Sequence, residues 1–471
     1  MKIDKRLILF FALSLIILGC QPSQIHLRTY NEDNGAIFIY LQPCPEEAER
    51  LKFSIESLYA VRTDGKEIPL NLSISDIKGL EMKRQRKIAS NYIPEGSYNG
   101  LSIKIKKATL MVEDGEANLI VPEEPVRIDF PFTINKRETI LLSLSFRYNE
   151  SIKNGITFYP YFIPYIPDRP IVNLTGYVTN TGSDSIAVFD KRSGQVTSYI
   201  LTGLEPKGMA INQTERRLYV SLSGEDAIGV IDILSGEVVN RFKLNSGDRP
   251  EEIALALDGR YLLSVNSGSN TVSIIDPRSL IEVGRISVGN EPISLLIDCS
   301  GRKAYIFNKG SNTISIIDIP NRAVFTTIST PDHSPFRGEF NKKCDRLYIS
   351  YERSPYLSVI NTSTLSEVKR IFVGIGISSL KVDKRTDMLY VGKKFDRRVE
   401  IYDPFSLIPV DFLDVGSGVG HITIDDEEKR LIFLLPASSI LKIVDIVSKK
   451  TMSEMDVGDN PYWVAVMGER R

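Results

Sequence analysis

Histidine, cysteine and tryptophan are scarce in this 471-residue chain, which has 3, 4 and 1 of them. So few histidines and cysteines leave little for His-rich zinc, haem or copper sites. No CxxCH, CxxC or HExxH occurs, which argues against c-type haem attachment, a zinc ribbon and a zincin protease. An excess of either charge is also missing. With 58 Lys+Arg against 59 Asp+Glu the formal net charge is -1, so the chain is not a nucleic-acid binder working by bulk charge. Its 42% hydrophobic and 25% charged residues describe a folded protein and not a disordered one. Beyond the N-terminus, no apolar run is long enough to span a bilayer.

The N-terminus itself reads as a leader. Lys2, Lys5 and Arg6 precede an apolar run from Leu7 to Leu18 that ends in Ile17-Leu18-Gly19-Cys20. That run is short for a membrane span and suits a signal-peptide core. The ending resembles the lipobox of bacterial lipoproteins. The resemblance implies cleavage after residue 19, lipidation of Cys20 (palmitate among the acyl chains) and a tether over 20–24; the plainer alternative is an uncleaved anchor. Gln21, where Asp would favour inner-membrane retention in enteric bacteria, points to the outer membrane. After export three cysteines remain. Cys44 sits alone, while Cys299 and Cys344 occupy nearly equivalent places in adjacent repeats. Loops of different repeats usually exceed the Cα reach of about 7 Å, so two unpaired thiols are the favoured reading and a Cys299–Cys344 disulfide the open alternative.

A repeat governs the second part. A fourteen-residue pattern, YVTNTGSDSIAVFD from Tyr177, returns at Tyr219, Leu263, Tyr305, Tyr348, Tyr390 and Ile432, at steps of 42 to 44 residues. Each copy has Asp or Asn thirteen places on: Asp190, Asp232, Asp276, Asp318, Asn361, Asp403 and Asp445. Two β-rich runs around a polar turn at this period predict four-stranded propeller blades. In the third copy, Ile253–Leu257, Tyr261–Val265, Thr271–Ile275 and Ile281–Val288 read as strands A to D, with Asn266–Asn270 as the B–C turn because Gly and Asn tolerate positive φ. The first copy lacks a strand A, and Pro461–Val466 is left over after the last strand D. The economical solution is a seven-bladed ring over 172–467 in which the C-terminal strand completes the first blade.

Tyr177-Val-Thr-Asn180, Asn270-Thr-Val-Ser-Ile-Ile-Asp276 and Asn312-Thr-Ile-Ser-Ile-Ile-Asp318 resemble the YVTN family of seven-bladed propellers of surface and periplasmic proteins. The resemblance covers nearly two thirds of the chain and implies a fold, hardly an activity. It weakens where Tyr351-Glu-Arg-Ser-Pro355 and Lys393–Arg398 replace the Asn/Gly turn.

Residues 25–165 form a different domain. Ala36–Leu41, Leu51–Ile55, Leu101–Ile105 and Ile140–Phe146 alternate like strands with one buried face. Ile93-Pro-Glu-Gly-Ser-Tyr98 resembles the entry strand of prealbumin-like β-sandwiches. The predicted class is therefore all-β, an N-terminal sandwich followed by a propeller. Phe158–Pro170 reads as a last strand and a stiff linker over 166–171, its aromatics expected to pack on the propeller in preference to stacking sugars. The basic run Lys83–Lys87 reads as a solvated loop rather than a lipid-headgroup contact.

In a propeller, D–A loops and B–C turns share one face around the channel mouth. The place two after the start of each strand A is occupied by Gly208, Glu252, Ser294, Arg337, Ser379, His421 and Trp463. A polar structural lining is the plainer account of this ring. The sharper one is that Glu252, Arg337, His421 and Trp463 supply a carboxylate, a fixed cation, a titratable base and a stacking face to one ligand site. Among the B–C turns, Asp184, Glu225 and Asp226 are acidic, whereas Arg353, Lys393, Lys394, Arg397 and Arg398 are basic. Such tips are usually charged for solubility. Read functionally, they divide the face into acid and base and predict an anionic ligand or partner patch over the basic blades, with Lys393 and Arg397 as contacts. The Asp column reads as hairpin-turn caps and not metal ligands, and His26 and His333 as ordinary loop residues.

The favoured function is a non-enzymatic cell-envelope lipoprotein, tethered to the membrane, whose propeller face binds a protein partner or small anionic ligand. No metal, cofactor or nucleic acid is expected. The alternative is a lactonase-like hydrolase at the channel mouth; a redox protein fits least, for want of haem-ligand spacing.

Overall fold

The computed structural model describes residues 33–113 and 115–469. The leader, Cys20, Gln21, the tether and His26 lie outside the described residues.

Thr175 to Val466 build seven four-stranded antiparallel sheets. Blade 1 has strands at Thr175–Asn180, Ser185–Asp190 and Gln195–Leu201, with Pro461–Val466 as its innermost strand. Blades 2 to 7 begin at Pro206, Pro250, Pro292, Pro335, Ile377 and His421, each running A to D from channel to rim. Their innermost strands touch in cyclic order, blade 7 meeting the strand Pro461–Val466, so the sheets close into a propeller ring. Closure joins the chain ends: Gly176 pairs with Val466, Tyr177 with Ala465 and Thr179 with Trp463. In the third repeat the strands are Pro250–Ala256, Tyr261–Asn266, Thr271–Asp276 and Ile281–Ser287, within two or three residues of the expected ends.

The blades are cemented by apolar side chains from facing sheets. Val265, Ile274 and Ile306, all fully buried, are one such layer. Polar residues of the repeat brace the turns. The amide of Asn266 donates to Thr271 Oγ1 (3.0 Å) and Ser273 Oγ (2.9 Å), and Asn308 repeats this with Thr313 (3.1 Å) and Ser315 (2.9 Å). In that turn the left-handed residue is Asn270 (φ 57°), not a glycine. The Asp column caps the C–D hairpins: Asp232 Oδ1 accepts from the N–H groups of Leu234 and Ser235, both at 2.9 Å.

Ring closure carries a buried ion pair. Lys191 Nζ lies 2.6 Å from Asp425 Oδ2, and both side chains are essentially inaccessible. The same ammonium donates to the carbonyl of Met467 (2.6 Å), just past the closing strand. Cys299 and Cys344, expected to remain apart, are bonded. They sit on the A–B turns of blades 4 and 5, which lie side by side, giving a Cα separation of 6.3 Å. Cys44 is free, and burial pushes its thiol up to about 11.

Residues 33–165 form two large sheets around a common core, beside a two-stranded one pairing Ile152–Lys153 with Thr157–Phe158. One is ordered Phe162–Tyr165, Thr139–Phe146, Asn34–Leu41, Arg86–Pro94, Asn71–Leu72; the other centres on Leu51–Arg62 paired with Gly96–Val112. Ile37, Ile39, Leu142 and Leu144 of the first face Phe53, Leu58, Leu101 and Ile103 of the second. Strand Asn34–Leu41 departs from the one-face expectation. Its other face, Ala36, Phe38 and Tyr40, packs with Tyr199, Val196 and Met455 of blades 1 and 7. The unbroken apolar run Ala36–Leu41 is what a strand covered on both sides requires. Phe38 stacks on Tyr199 with centroids 3.7 Å apart, and the Tyr40 hydroxyl meets that of Tyr199 (2.6 Å) and donates to the Asp456 carbonyl (2.8 Å).

Two further expectations change at this seam. The basic run is not a solvated loop: Gln85 binds the backbone of Val196 through both amide atoms (2.9 and 3.2 Å), Arg86 pairs with Asp456 (2.7 Å) and Lys87 with Asp459 (2.9 Å). Only Lys83 of that run turns away, toward Glu49. The aromatics after residue 157 do not pack on the propeller either. Phe158 and Phe162 enter the core of the two sheets, while Tyr159, Tyr161 and Tyr165 face solvent. Strand alternation divides them, since the edge strand Phe162–Tyr165 has only one covered face.

Candidate functional site

Strand A of each blade enters from the D–A loop, and in blades 1 to 6 its pairing with strand B shifts register at the start. The shift lies between Pro250 and Ile253 in blade 3, between Pro335 and Arg337 in blade 5, and opposite Thr179/Asn180 in blade 1. A bulge of this kind re-aims the side chains it contains. In these blades it turns the third residue of the strand into the channel mouth, whereas His421 opens strand A of blade 7, which pairs without a shift.

Four of the seven ring residues converge there from four different blades. Arg337 Nη2 is 3.0 Å from Glu252 Oε1. The Arg337 guanidinium also lies 5.0 Å from the Trp463 ring centroid and 5.3 Å from that of Phe336. His421 also packs on Trp463, centroids 4.1 Å apart and planes at 41°. The sequence-predicted cluster is thus one physical unit, with an aromatic ring in contact with both a cation and an imidazole. The remaining ring places are mortar. Ser294 Oγ donates to the Phe336 carbonyl (2.6 Å) and Ser379 Oγ accepts from Ile422 N–H (2.9 Å). A Cβ on Gly208 would lie 2.8 Å from the Glu252 Cα, so only glycine lets these two inner strands approach.

Burial controls the electrostatics. Glu252 is 4% exposed, and desolvation lifts its carboxyl to about 7 even with Arg337 pulling the other way. His421 is 7% exposed; burial, with the Arg337 and Lys381 charges, holds its pKa well below the usual imidazole value. The imidazole is therefore neutral near pH 7. Two polar atoms in the cluster are buried without a hydrogen-bond partner, Arg337 Nε and His421 Nδ1. Burial also raises the Tyr462 hydroxyl pKa beside Arg337.

A second polar layer lies deeper in the channel. Lys381 Nζ pairs with Glu469 Oε1 at 2.9 Å, and Thr423 Oγ1 donates to the same oxygen at 2.7 Å. Lys381 and Thr423 follow Ser379 and His421 by two places, so strand periodicity points to them; Glu469 follows the last strand and no repeat register reaches it. At the rim of the mouth Lys207 pairs with both oxygens of Glu251 (2.7 and 2.8 Å).

The B–C turn charges are placed differently. Lys393 is buried and bonded to Glu400 (3.0 Å), Asp396 (3.2 Å) and the Val373 carbonyl (3.3 Å). Exposed Arg397 is held by Asp414 through Nε (2.8 Å). Neither belongs to the Glu252–Arg337–Trp463–His421 unit. On the acidic side, Asp184 (φ 48°) and Asp226 (φ 52°) occupy the same left-handed turn position as Asn270 and Asn312 (φ 56°). All four accept a backbone N–H from the next D–A loop: Asp184 from Glu205 (3.0 Å), Asp226 from Arg249 (2.7 Å), Asn270 from Glu291 (2.8 Å) and Asn312 from Ser334 (2.8 Å). The carboxylates read as one pole of the face are loop fasteners, legible because the place seven after the repeat start is Asp or Asn in the first four copies. Glu225 likewise accepts from Leu204 N–H (2.9 Å) and pairs with Arg241 (2.9 Å). His333 is exposed in its loop. Among the described residues no group of three or more His, Cys, Asp or Glu stands ready to hold a metal.

No family model matches the chain, and no curated protein does. Solved structures do. A functionally unknown protein from Desulfotomaculum acetoxidans superposes with TM-score 0.56 at 13% identity, over 63% of this chain and 99% of that one. Kuenenia stuttgartiensis hydrazine synthase gives 0.53 at 17% identity, over 59% and 94%. The dihydro-heme d1 dehydrogenase NirN, in complex with DHE, gives 0.51 at 14%, over 64% and 78%. At such identities the likeness concerns the fold alone.

Proposed function

We propose that the chain is a lipid-tethered cell-envelope protein of the YVTN propeller type, carrying a prealbumin-like sandwich at its N-terminal side, which binds a small anionic ligand or an anionic group of a protein partner at the channel mouth without turning it over. The lipobox-like Ile17-Leu18-Gly19-Cys20 supports the tether. The Cys299–Cys344 bond supports an oxidising compartment.

One observation carries the ligand class. Arg337 is a permanent cation stacked on Trp463, with a buried, unbonded Nε, and its one carboxylate partner among the described residues is Glu252, which burial has brought to about 7. Near neutral pH a share of Glu252 is therefore protonated and holds Arg337 weakly. A ligand carboxylate or phosphate with a lower pKa replaces it as counter-ion and satisfies Nε as well. Because Glu252 competes for the same cation, affinity should rise as pH falls from about 8 to 6. Calorimetric titration of the full chain with small carboxylates and phosphate esters tests this, beside Arg337→Gln and Glu252→Gln. Saturable binding abolished by the first variant and made pH-independent by the second is expected. Binding indifferent to Arg337, or no binding across the panel, removes the reading.

His421 favours a second reading, a lactonase-like hydrolase, since its neutral imidazole has an unbonded Nδ1 facing the same cluster. Its depressed pKa makes it a weak base, which is why binding is preferred. Lactone turnover by the full chain, lost in His421→Ala, would reverse that preference.

A further inference from the structure

One corner of the channel face departs from its surroundings. Where blade 5 passes to blade 6, the D–A loop Val373–Gly376 is pinned to both neighbouring B–C turns. Val373 and Gly374 N–H donate to the Pro355 carbonyl (2.9 and 3.0 Å), and Lys394 N–H to the Gly376 carbonyl (2.7 Å). These bonds make a rigid three-loop platform. Three large apolar side chains stand on it: Phe372, Ile375 and Phe395, exposed by 69, 72 and 77%. A Cβ on Gly376 (φ 81°) would meet the Phe395 ring at 3.0 Å, so glycine lets the ring lie across the loop. Tyr356 packs edge-on against Phe372, centroids 5.6 Å apart. Exposure this high means that the side chains project and line no groove into which a partner's side chain would fit.

Charge around the corner is one-sided once its internal pairs are taken out. Asp396 and Glu400 are engaged by Lys393, Asp414 by Arg397 and Glu352 by Lys309. Arg353 and Lys394, both exposed, have no carboxylate within ion-pair distance among the described residues, and Lys394 lies 5.6 Å from the Phe395 centroid. Projecting aromatic and aliphatic side chains flanked by unpaired cations suit the boundary between headgroups and acyl chains, where rings insert shallowly and cations meet phosphate. The pinned turns offer an incoming peptide no recess for a helix and no open sheet edge for a strand.

We propose that Phe372, Ile375 and Phe395, with Arg353 and Lys394, form a membrane-contact surface whose partner is a bilayer bearing anionic headgroups. The assignment goes beyond the channel ligand and holds whether or not Cys20 is lipidated. A tether by itself brings the chain to a membrane in any orientation, whereas this corner sets one, with the channel mouth turned toward the bilayer surface.

The test is the full chain carrying Ile375→Trp on phosphatidylethanolamine–phosphatidylglycerol vesicles with brominated acyl chains, the wild type giving the Trp463 background. Expected are a blue shift and bromolipid quenching of the new indole, at least about threefold stronger than on phosphatidylcholine and reduced to that lower level by Arg353→Glu with Lys394→Glu. Phe395→Trp is a second reporter should the loop reject indole. Water-exposed emission without quenching from both reporters, in chain that co-sediments with the vesicles, overturns the proposal. So does equal quenching on neutral lipid, and so does a concentration-dependent blue shift without vesicles, which would make the corner an interface between copies of this chain.

Discussion

The ion pair at the ring seam invites the sharpest perturbation. Lys191 follows strand C of blade 1, Asp425 ends strand A of blade 7, and the Met467 carbonyl follows the closing strand, so one ammonium ties three segments. Replacing Asp425 by Ala leaves that ammonium buried with a single neutral acceptor. Breaking one side of a buried pair costs about 3–5 kcal/mol, mostly the desolvation of the orphaned charge. Loss of the Glu428 N–H bond to Asp425 (3.2 Å) adds about 1 kcal/mol. Lys191→Met with Asp425→Leu removes both charges and their desolvation together, and should stand within about 2 kcal/mol of wild type. Urea unfolding followed by Trp463 fluorescence is the natural assay, because the single tryptophan sits on the closing strand opposite Thr179. Asp425→Ala within about 1 kcal/mol of wild type, or a double variant as unstable as the single, would falsify the reasoning.

Other perturbations follow from the same contacts. Cys299→Ser with Cys344→Ser opens a crosslink spanning 45 residues, and loop entropy puts the loss at about 4 kcal/mol or less, read as a lower urea midpoint equal to that of reduced wild type. Glu252 binds a proton more tightly when folded, at about 7 against the ordinary 4.5. Its contribution is therefore complete below about pH 4.5 and lost as pH rises to 7, by about 3 kcal/mol. Wild type should lose that much relative to Glu252→Gln across this window, and parallel stability curves would refute it. His421, with its lowered folded pKa, contributes the opposite slope: stability present above about 6.5 falls away as pH drops below it. At the seam, Tyr40→Phe removes the hydroxyl that meets Tyr199 and the Asp456 carbonyl. A loss of about 1–3 kcal/mol is expected, with faster amide exchange confined to Asn34–Leu41 and its partners in blades 1 and 7.

Much of the propeller was legible in the sequence. The repeat period, the alternation within each copy and the orphan strand Pro461–Val466 led to seven sheets and a composite first blade, since hydrogen-bonded hairpins and strand periodicity are local properties. The ring places Glu252, Arg337, His421 and Trp463 came from the same register. What they do to one another did not. Whether Arg337 would reach Glu252 across the channel or lie over Trp463 depends on the bulges that aim them and on the size of the opposing residues.

Long-range pairing made the remaining decisions. Cys299 and Cys344 bond because the A–B turns of adjacent blades come within reach, a spacing that no local rule contains. Lys83–Lys87 looked solvated because charge normally is; Asp456 and Asp459, more than 360 residues away, supply the countercharge that lets it line the seam. The aromatics of 158–165 were assigned to the propeller as a group, and strand alternation split them between core and solvent. By itself the sequence determined the units, because blades are built from neighbours in the chain. Only the tertiary structure decided which charges are paired, which cysteines meet and which apolar side chains are left projecting, because those outcomes belong to surfaces that folding alone brings face to face.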